Sequence, residues 1–420
     1  MNKLKKYKLS DLYTMSSGLS STKEQARHGM PFISFSTIFN NYFLPDKIDD
    51  LMSVSDKELE SYSVKKGDVF LTRTSETVDE LAMSCVSLKE YDNTTFSGFA
   101  KRLRPKKDGI VYEKYIAFYL RSPYFRQVIK NNTIMTLRAS FNEDIFSFIE
   151  IYLPEYKEQI RIGDLLYSIE KKINNNKSIN DNLYEQMMLV FNYWFIQFNF
   201  PDKNKKPYKA NGGKMIFNEN IGQFIPDNWT IKPINQLVDL VSGFSFSSTY
   251  YEKDGKYPLI TIKNVQDNGI NLNVDNYLNF VPENMPDYCL LKQSDILMSL
   301  TGNVGRVGLM YIDNCFLNQR VALINPLNKN LKPYIFNLFK SNFLKKRMET
   351  IANGSSQKNL SPVEVGCFEI PFNQEIQEIF SNKFSNHIAT ITRNLNENHK
   401  LIKLRDWLLP MLMNGQATIE

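Results

Sequence analysis

The sequence lacks the residues and segments that mark most metal-binding, secreted and membrane proteins. Its 420 residues include only four cysteines and three histidines, and none of them forms a CxxC pair or a His/Cys cluster with metal-ligand spacing. Scattered cysteines are typical of reduced thiols in the cytoplasm. No segment approaches the roughly 18 apolar residues of a membrane span, and the basic N-terminus has no apolar signal-peptide core. We therefore expect a cytoplasmic protein without a metal or membrane anchor.

Catalytic motifs are also missing. The sequence contains no GxSxG, HExxH or GxxxxGK[ST] motif. The nearest approach to a methyltransferase Asn/Asp-Pro-Pro-Tyr/Phe motif is Asn325-Pro326-Leu327-Asn328, which lacks the second proline and the aromatic residue. Glycines 302, 305 and 308 form GNVGRVG, which is not GxGxxG, so we interpret it as a tight turn that lets backbone approach a ligand. We predict no cofactor in this chain, although a catalytic site assembled from distant residues stays open.

The charge balance is mildly basic. Lys and Arg number 51 against 45 Asp and Glu, which gives a formal net charge of +6. Such an excess permits a polyanionic partner such as nucleic acid but does not demand one, because many basic proteins bind nothing acidic.

The sequence contains a long internal repeat. Four blocks occur in the same order in both halves, at separations that fall from 227 to about 219 residues: 31–38 with 258–265, 65–74 with 292–301, 115–125 with 334–344, and 148–154 with 368–373. Asp68 thereby pairs with Asp295, and Thr74 with Thr301. Four collinear matches indicate a tandem duplication rather than a solenoid of short units.

Each copy has the pattern of an α+β domain. Short apolar or alternating runs predict strands at PFISFSTI, DVFLT and CVSL in the first copy and at PLITI, DILMSL and VALINP in the second. A helical stretch follows in each (112–130 and 332–352), then a polar loop, and a last strand at FIEIYLP or CFEIPF. We expect about 150 residues in each domain.

A heptad pattern ends each copy. Apolar or permissive residues alternate in steps of four and three at 162, 166, 169, 173, 176, 180, 183, 187, 190 and 194, and again at 384, 388, 391, 395, 398, 402, 405, 409 and 412. The asparagines at 176, 180 and 398 would cost stability but fix helix register. The alternatives are ordinary amphipathic helices of a bundle or, as we favour, a mutual antiparallel pair. Each seam would span roughly 45–50 Å.

Several strings resemble one family, the specificity subunits of type I restriction–modification enzymes. YWFIQFNFPDKNKKPYKANGGKM (193–215) followed by IPDNWTIKPINQL (225–237) resembles the central region of that family, and LRDWLLPMLMNGQ (404–416) resembles its C-terminal end. In the second domain the resemblance extends to the blocks VSGFSFSS, SLTGNVGRVG, NQRVALI and NGSSQKNLS. The first domain departs from the pattern, with LTRTSET in place of LTGNVG.

The resemblance implies a fold and a set of partners. It implies two tandem target-recognition domains separated by two long helices that pair as an antiparallel coiled coil, with a pseudo-twofold repeat. Each domain would read one half of a bipartite, asymmetric site in double-stranded DNA. Two methyltransferase subunits, and up to two restriction subunits, would dock on the chain. S-adenosylmethionine, ATP and Mg would belong to those partners, and this chain would not be an enzyme.

The expected boundaries follow from the repeat and the helices. We expect a first target-recognition domain at 1–154, a first spacer helix at 155–198 and a connector at 199–225. A second target-recognition domain would occupy 226–373, with the second spacer helix and a C-terminal tail at 374–420.

Candidate DNA-binding residues are those whose side chains match base edges or phosphates and that cluster in polar loops. Arginine matches guanine, Asn and Gln match adenine, and Lys, Ser and Thr suit phosphates. In the first domain they are Lys23, Arg27, Arg73, Thr74, Ser75, Lys101, Arg102, Arg138 and Ser140. In the second they are Lys263, Asn264, Thr301, Asn303, Arg306, Asn318, Gln319, Arg320, Ser355, Ser356, Gln357 and Lys358.

Two alternatives remain open at the level of sequence. A duplicated coiled-coil scaffold could bind protein or carbohydrate partners without DNA specificity. The aromatic cluster Phe191, Tyr193, Trp194, Phe195, Phe198 and Phe200 could dock a methyltransferase subunit or cover the base of the adjacent domain.

Overall fold

The chain divides into two compact units in a computed structural model, which describes residues 4–417 except 21, 76, 78, 79, 133–138 and 355–357. The first unit comprises Met1–Ile173 and Lys400–Glu420, and the second comprises Asn174–His399. Each unit therefore contains one copy of the repeat together with part of each long helix.

The first unit has an α+β architecture. Its strands are β1 (Lys5–Lys8), β2 (Tyr13–Ser17), β3 (Ala26–Ile33), β4 (Leu51–Met52), β5 (Val69–Thr72), β6 (Thr74–Ser75), β7 (Ser84–Val86), β8 (Thr95–Phe96), β9 (Ala100–Pro105), β10 (Ala139–Ser140) and β11 (Glu150–Leu153). Its helices are α1 (Leu9–Leu12), α2 (Phe35–Asn40), α3 (Asp56–Ser61), α4 (Glu113–Tyr119), α5 (Pro123–Asn131), α6 (Glu143–Phe148) and the first part of α7 (Tyr156–Phe191).

The second unit repeats this mixture. Its strands are β12 (Met215–Asn218), β13 (Gln223–Pro226), β14 (Thr230–Pro233), β15 (Val238–Ser242), β16 (Tyr257–Ile260), β17 (Val265–Gln266), β18 (Gly269–Ile270), β19 (Tyr277–Leu278), β20 (Leu290–Leu291), β21 (Ile296–Ser299), β22 (Val307–Leu309), β23 (Cys315–Leu317), β24 (Val321–Pro326) and β25 (Glu369–Phe372). Its helices are the remainder of α7, then α8 (Lys332–Lys340), α9 (Asn342–Ile351), α10 (Pro362–Gly366) and most of α11 (Gln374–Met413).

The sheet topology confirms the duplication. The four-stranded antiparallel sheet β2-β9-β5-β7 of the first unit has its counterpart in β15-β24-β21-β22 of the second. Even the register is kept, since Val69 pairs with Leu103 in one sheet and Ile296 with Ile324 in the other. The closing strands repeat as well, because β1 pairs with β11 and β14 with β25. Every residue of β5 and β21 is buried, which explains why each strand begins with three consecutive apolar residues instead of alternating apolar and polar ones.

An aspartate fixes the turn before the central strand of each sheet. The Asp68 carboxylate accepts a 2.8 Å hydrogen bond from the Lys65 amide, and that of Asp295 accepts one from the Lys292 amide at 2.8 Å. Asp68 additionally binds the Arg104 guanidinium at 2.7 and 2.8 Å and is fully buried. The two aspartates that align in the repeat thus have the same structural role.

We expect Asp68→Ala to destabilise the first unit by roughly 2–4 kcal/mol, because it removes the turn acceptor and leaves the Arg104 guanidinium without its carboxylate. Urea unfolding, monitored by far-ultraviolet circular dichroism, would measure the loss of stability. The exposed Asp49→Ala is the matched control and should change the free energy of unfolding by less than about 0.5 kcal/mol. Equal stabilities of the two variants would contradict this role.

Two sequence predictions of secondary structure need correction, and serine caps explain both. The predicted strand 31–38 ends at Ile33, because the Ser34 side chain accepts a hydrogen bond from the Thr37 amide and starts α2. Each predicted long helical stretch is two helices. Ser122 caps α5 through the Phe125 amide, and Ser341 caps α9 through the Leu344 amide. These breaks occur at equivalent positions of the repeat.

The two long helices pair antiparallel, as the heptad pattern predicts. Within the second unit, Asn176 donates to Asn398 Oδ1 at 2.9 Å and to Glu397 Oε2 at 2.8 Å, and Asn394 donates to Asn180 Oδ1 at 2.9 Å. Within the first unit, Arg405 binds Glu170 at 2.7 Å. Residue numbers rise on one helix as they fall on the other, so the seam asparagines do meet across the pair.

Candidate nucleic-acid interface

The loop between β21 and β22 is held in one conformation by its own hydrogen bonds. Ser299 Oγ donates to the Asn303 carbonyl at 2.6 Å and accepts from the Arg306 amide at 3.0 Å. Gly302 and Gly305 both have φ of 73°, in the left-handed region that favours glycine. The tight turn expected from GNVGRVG is therefore present, and it presents Asn303 and Arg306 from a rigid frame.

Backbone hydrogen bonds join this loop to two other predicted loops. The Leu300 amide donates to the Arg320 carbonyl at 3.0 Å, and the Gly302 amide donates to the Lys358 carbonyl at 2.9 Å. Gln319 and Arg320 are exposed, whereas Asn318 is half-buried and accepts from the Arg320 amide. Three polar segments that lie far apart in sequence thus meet at one end of the sheet.

A concavity of about 500 Å³ opens beside the loop. Its lining includes Lys263, Thr301, Asn303 and Arg306, four of the predicted residues. A neighbouring concavity of about 230 Å³ shares Asn303 and Arg306 and adds Lys358. Five predicted residues are thereby brought to one surface.

The electrostatics of this concavity centre on an aspartate that no sequence pattern indicated. Arg306 Nη2 lies 2.9 Å from Asp267 Oδ2, and Lys345 Nζ lies 3.4 Å from Asp267 Oδ1. Partial burial raises the pKa of Asp267, but Arg306 and Lys345 outweigh it and hold that pKa below its ordinary value. The carboxylate is therefore ionised at neutral pH, and it partly neutralises the two cations.

Asn264 has a structural environment instead. It is 3% exposed, its Oδ1 accepts from the Thr261 amide at 2.9 Å, and its Nδ2 donates to the carbonyls of Asn271 and Asn273. These bonds hold the turn after β16. The geometry favours a role in folding over contact with a ligand.

The first unit has the same loop connections with different side chains. The Arg73 amide donates to the Phe99 carbonyl at 2.8 Å, and the Phe141 amide donates to the Arg73 carbonyl at 2.9 Å. Thr74 pairs with Ser140 in the two-stranded ladder of β6 and β10. Arg73 is exposed, whereas Ser75 is 7% exposed and donates to Glu80 at 3.0 Å. Arg73, Thr74 and Ser140 are thus brought together in the first unit.

Lys101 and Arg102 are located on β9 and are buried. Lys101 Nζ donates to Ser17 Oγ at 3.0 Å, and Arg102 Nη1 donates to the Ser63 carbonyl at 2.6 Å. Burial lowers the pKa of the Arg102 guanidinium, which also lies 5.2 Å from the Phe96 ring centroid. Their contacts favour a role in holding the domain together.

The remaining predicted residues fall into two groups. Lys23 lies in a short 3-10 helix (Lys23–Gln25) and Arg27 on β3, and both are exposed. Arg138, Ser355, Ser356 and Gln357 lie outside the described residues.

Comparison with known proteins identifies the family. The model of the type I restriction modification DNA specificity domain matches residues 1–185 and 226–402. The chain belongs to this family. It is 25% identical over 384 residues to the type I restriction enzyme MjaIX specificity subunit of Methanocaldococcus jannaschii, with 88% of this chain and 82% of that protein covered. It is 22% identical to the HindI specificity subunit of Haemophilus influenzae, with 92% and 94% covered.

A solved structure shares the fold of this specificity-family member. The crystal structure of the type I restriction–modification system S subunit from M. genitalium superposes with a TM-score of 0.61 at 15% identity, covering 98% of this chain and 96% of that one. The expected α+β fold with two family domains and long helices is therefore confirmed.

Sequence reasoning missed one exposed aromatic residue in the first domain of this family member. Phe99 is 64% exposed and, by its backbone bond to Arg73, occupies the position that Arg320 holds in the second domain. The sequence does contain a signal for this position, because SGFAKRLRP of the first copy stands where the second copy has NQRVALI. A large apolar side chain at the tip of a polar loop suits stacking or contact with a thymine methyl group.

The aromatic cluster near the end of α7 mostly packs inside the second unit. Phe191, Phe195, Phe198 and Phe200 are at most 6% exposed. Phe195 lies 4.8 Å from the Tyr334 ring, and Phe200 lies 5.1 Å from the Trp229 ring. This favours the interpretation that the cluster covers the base of the adjacent domain, with only Tyr193 exposed at 39%.

The part of the chain that the structure describes contains neither a metal-ligand cluster nor a membrane-spanning helix. Within the described ranges, no three His, Cys, Asp or Glu side chains are grouped as metal ligands would be. None of the helices formed by the described residues combines the length and apolarity that crossing a bilayer requires.

Proposed function

We propose that this chain reads a bipartite, asymmetric DNA site, one half-site per unit, for a type I restriction–modification complex. The observation that carries the proposal is a repeated backbone frame with different side chains at equivalent loop positions. Their matching backbone hydrogen bonds make Arg320 and Leu300 of the second unit equivalent to Phe99 and Arg73 of the first. Two different sets of side chains on one frame suit two different half-sites.

The other subunits complete the proposed complex. Two methyltransferase subunits, and up to two restriction subunits, dock on this chain and supply the chemistry with S-adenosylmethionine, ATP and Mg. The chain itself contributes recognition and is not an enzyme. In this proposal the paired helices α7 and α11 set the number of base pairs between the half-sites.

Binding of the full chain to DNA, with and without a methyltransferase subunit, tests the proposal. We expect affinity that falls steeply with salt, as counterion release requires, and a preference for one bipartite site. A scaffold for protein or carbohydrate partners would show neither. Methyl transfer by the isolated chain would contradict the non-catalytic role.

We expect Arg306→Ala to lower affinity for the target duplex by about 1–3 kcal/mol and to flatten the preference at one base pair. Lys263→Ala is the matched comparison, because Lys263 lines the same concavity but has a side chain 79% exposed, in a solvent-exposed ion pair with Asp275 at 2.9 Å. As a phosphate contact it should weaken all sequences alike and lower the salt slope by about one. Quantitative binding to a panel of single-base variants distinguishes the two. If neither variant alters the site preference, the concavity lined by Arg306 and Lys263 does not read bases.

A further inference from the structure

Asp267 lies on a hairpin that packs tightly against the strand following Arg306. The hairpin consists of β17 and β18, which pair through Val265 with Ile270 and Gln266 with Gly269. A Cβ on Gly308 would lie 2.8 Å from the Ile270 side chain and 2.9 Å from the Gly269 carbonyl carbon. Only glycine at 308 permits this approach, so the packing brings the turn at Asp267 to the guanidinium of Arg306.

The guanidinium of Arg306 has most of its donors engaged. Nη2 binds Asp267 at 2.9 Å. With the Asn303 amide turned so that its oxygen faces Arg306, Oδ1 accepts from Nη1 at 3.1 Å and from Nη2 at 2.9 Å. Among the described residues, Nε of Arg306 and Oγ1 of Thr301 are buried without a hydrogen-bond partner. A guanidinium has five N–H donors, so with Asp267 in place Arg306 retains one donor on Nη1 besides the buried Nε.

A carboxylate at this position discriminates between the two kinds of DNA acceptor. A phosphate bound by the remaining Nη1 donor of Arg306 would lie near the Asp267 carboxylate and be repelled by it. The O6 and N7 acceptors of guanine carry only partial negative charges, so the carboxylate repels them much less than it repels a phosphate. The carboxylate is 62% exposed at its side chain, so it faces whatever enters the concavity.

We propose that Asp267 is a specificity-determining residue, which disfavours phosphate at Arg306 and thereby reserves that guanidinium for a base edge. The inference rests on the DNA recognition proposed above and deepens it, because it assigns Arg306 to base contact rather than phosphate contact. Asp267 acts through Arg306 and is in this sense a positioning residue.

The test compares binding of the full chain and of Asp267→Asn to two duplexes, one with the site that the wild-type chain selects from a randomised pool and one scrambled. Removing the charge should strengthen binding to the scrambled duplex by roughly three- to tenfold at low salt and steepen its salt slope by about one. Binding to the target should change less, so the ratio of target to scrambled affinity should fall by at least about threefold.

Two further variants separate a specific effect from general electrostatics. Glu283→Gln removes the same charge from an exposed residue outside the lining of the concavity, and it should raise both affinities by the same small factor. In an Arg306→Gln background, Asp267→Asn should no longer alter the ratio, because the coupling partner is gone. Asp267 lies in an exposed turn where asparagine is equally suited, so the variant should fold.

The possible outcomes are distinct. This inference alone is overturned if the wild-type chain prefers the target duplex but Asp267→Asn leaves the ratio of target to scrambled affinity unaltered. It is also overturned if Glu283→Gln changes that ratio as much as Asp267→Asn does. A wild-type chain with no preference between the duplexes overturns the proposed function and this inference with it.

Discussion

Inserting one heptad into each of the two long helices should lengthen the gap between the half-sites by about three base pairs. Seven helical residues add roughly 10 Å, and B-DNA rises about 3.4 Å per base pair. Insertions placed after Asn176 in α7 and before Asn398 in α11 preserve the heptad seam on both sides, since these residues face each other. Selection from a randomised duplex pool would measure the new gap directly.

A four-residue insertion in α7 alone is the matched control. Placed after Asn176, it shifts the register of the two helices by about one turn on one side, so Asn176 and Asn180 cannot both keep their partners and the seam is broken. We expect a changed gap or loss of recognition. An unchanged gap in the doubly inserted chain would refute the role of the helices in spacing.

Replacing Arg405 by alanine should destabilise the protein by about 3–5 kcal/mol, because it removes one member of a buried ion pair and leaves a charge in the seam. Arg405 and Glu170 have side chains only 13% and 10% exposed and lie 2.7 Å apart. The guanidinium also lies 5.1 Å from the Tyr42 ring. Chemical denaturation of the full chain would measure the loss.

Two companion variants test whether this loss comes from the charge. Asp406→Asn removes an acceptor that binds the same guanidinium but is 57% exposed, and it should cost less than about 1 kcal/mol. Replacing both Glu170 and Arg405 by methionine removes the buried charges together and should cost less than Arg405→Ala. If the double variant is the least stable, the ion pair itself stabilises the seam, and the buried Glu170 charge is not the cause of the loss.

The sequence was most informative where a pattern repeats over many residues. The duplication, the central strands and the antiparallel seam follow from collinear blocks and heptad spacing, and Asn176 does pair with Asn398. Local caps were harder to foresee. Ser34 ends a strand because its hydroxyl caps α2, and nothing in PFISFSTI shows that this serine outcompetes the β-propensity of its neighbours.

The site was only partly predictable, because residue type does not reveal burial. Arg102 and Arg306 are equally suited to guanine, but Arg102 donates to a backbone carbonyl inside the domain while Arg306 lines a concavity. Asp267 could not be found at all from sequence. Its relevance follows only from the 2.9 Å distance between its carboxylate and the Arg306 guanidinium.

Mapping methylated adenines in the genome that encodes this chain, before and after deletion of its gene, tests the central claim most directly. The account of one frame with two distinct sets of recognition loops predicts a single bipartite motif with two unlike halves and a fixed gap, and predicts that methylation at this motif disappears with the gene. Methylation that persists after deletion, or a motif that is contiguous or has two identical halves, would contradict it.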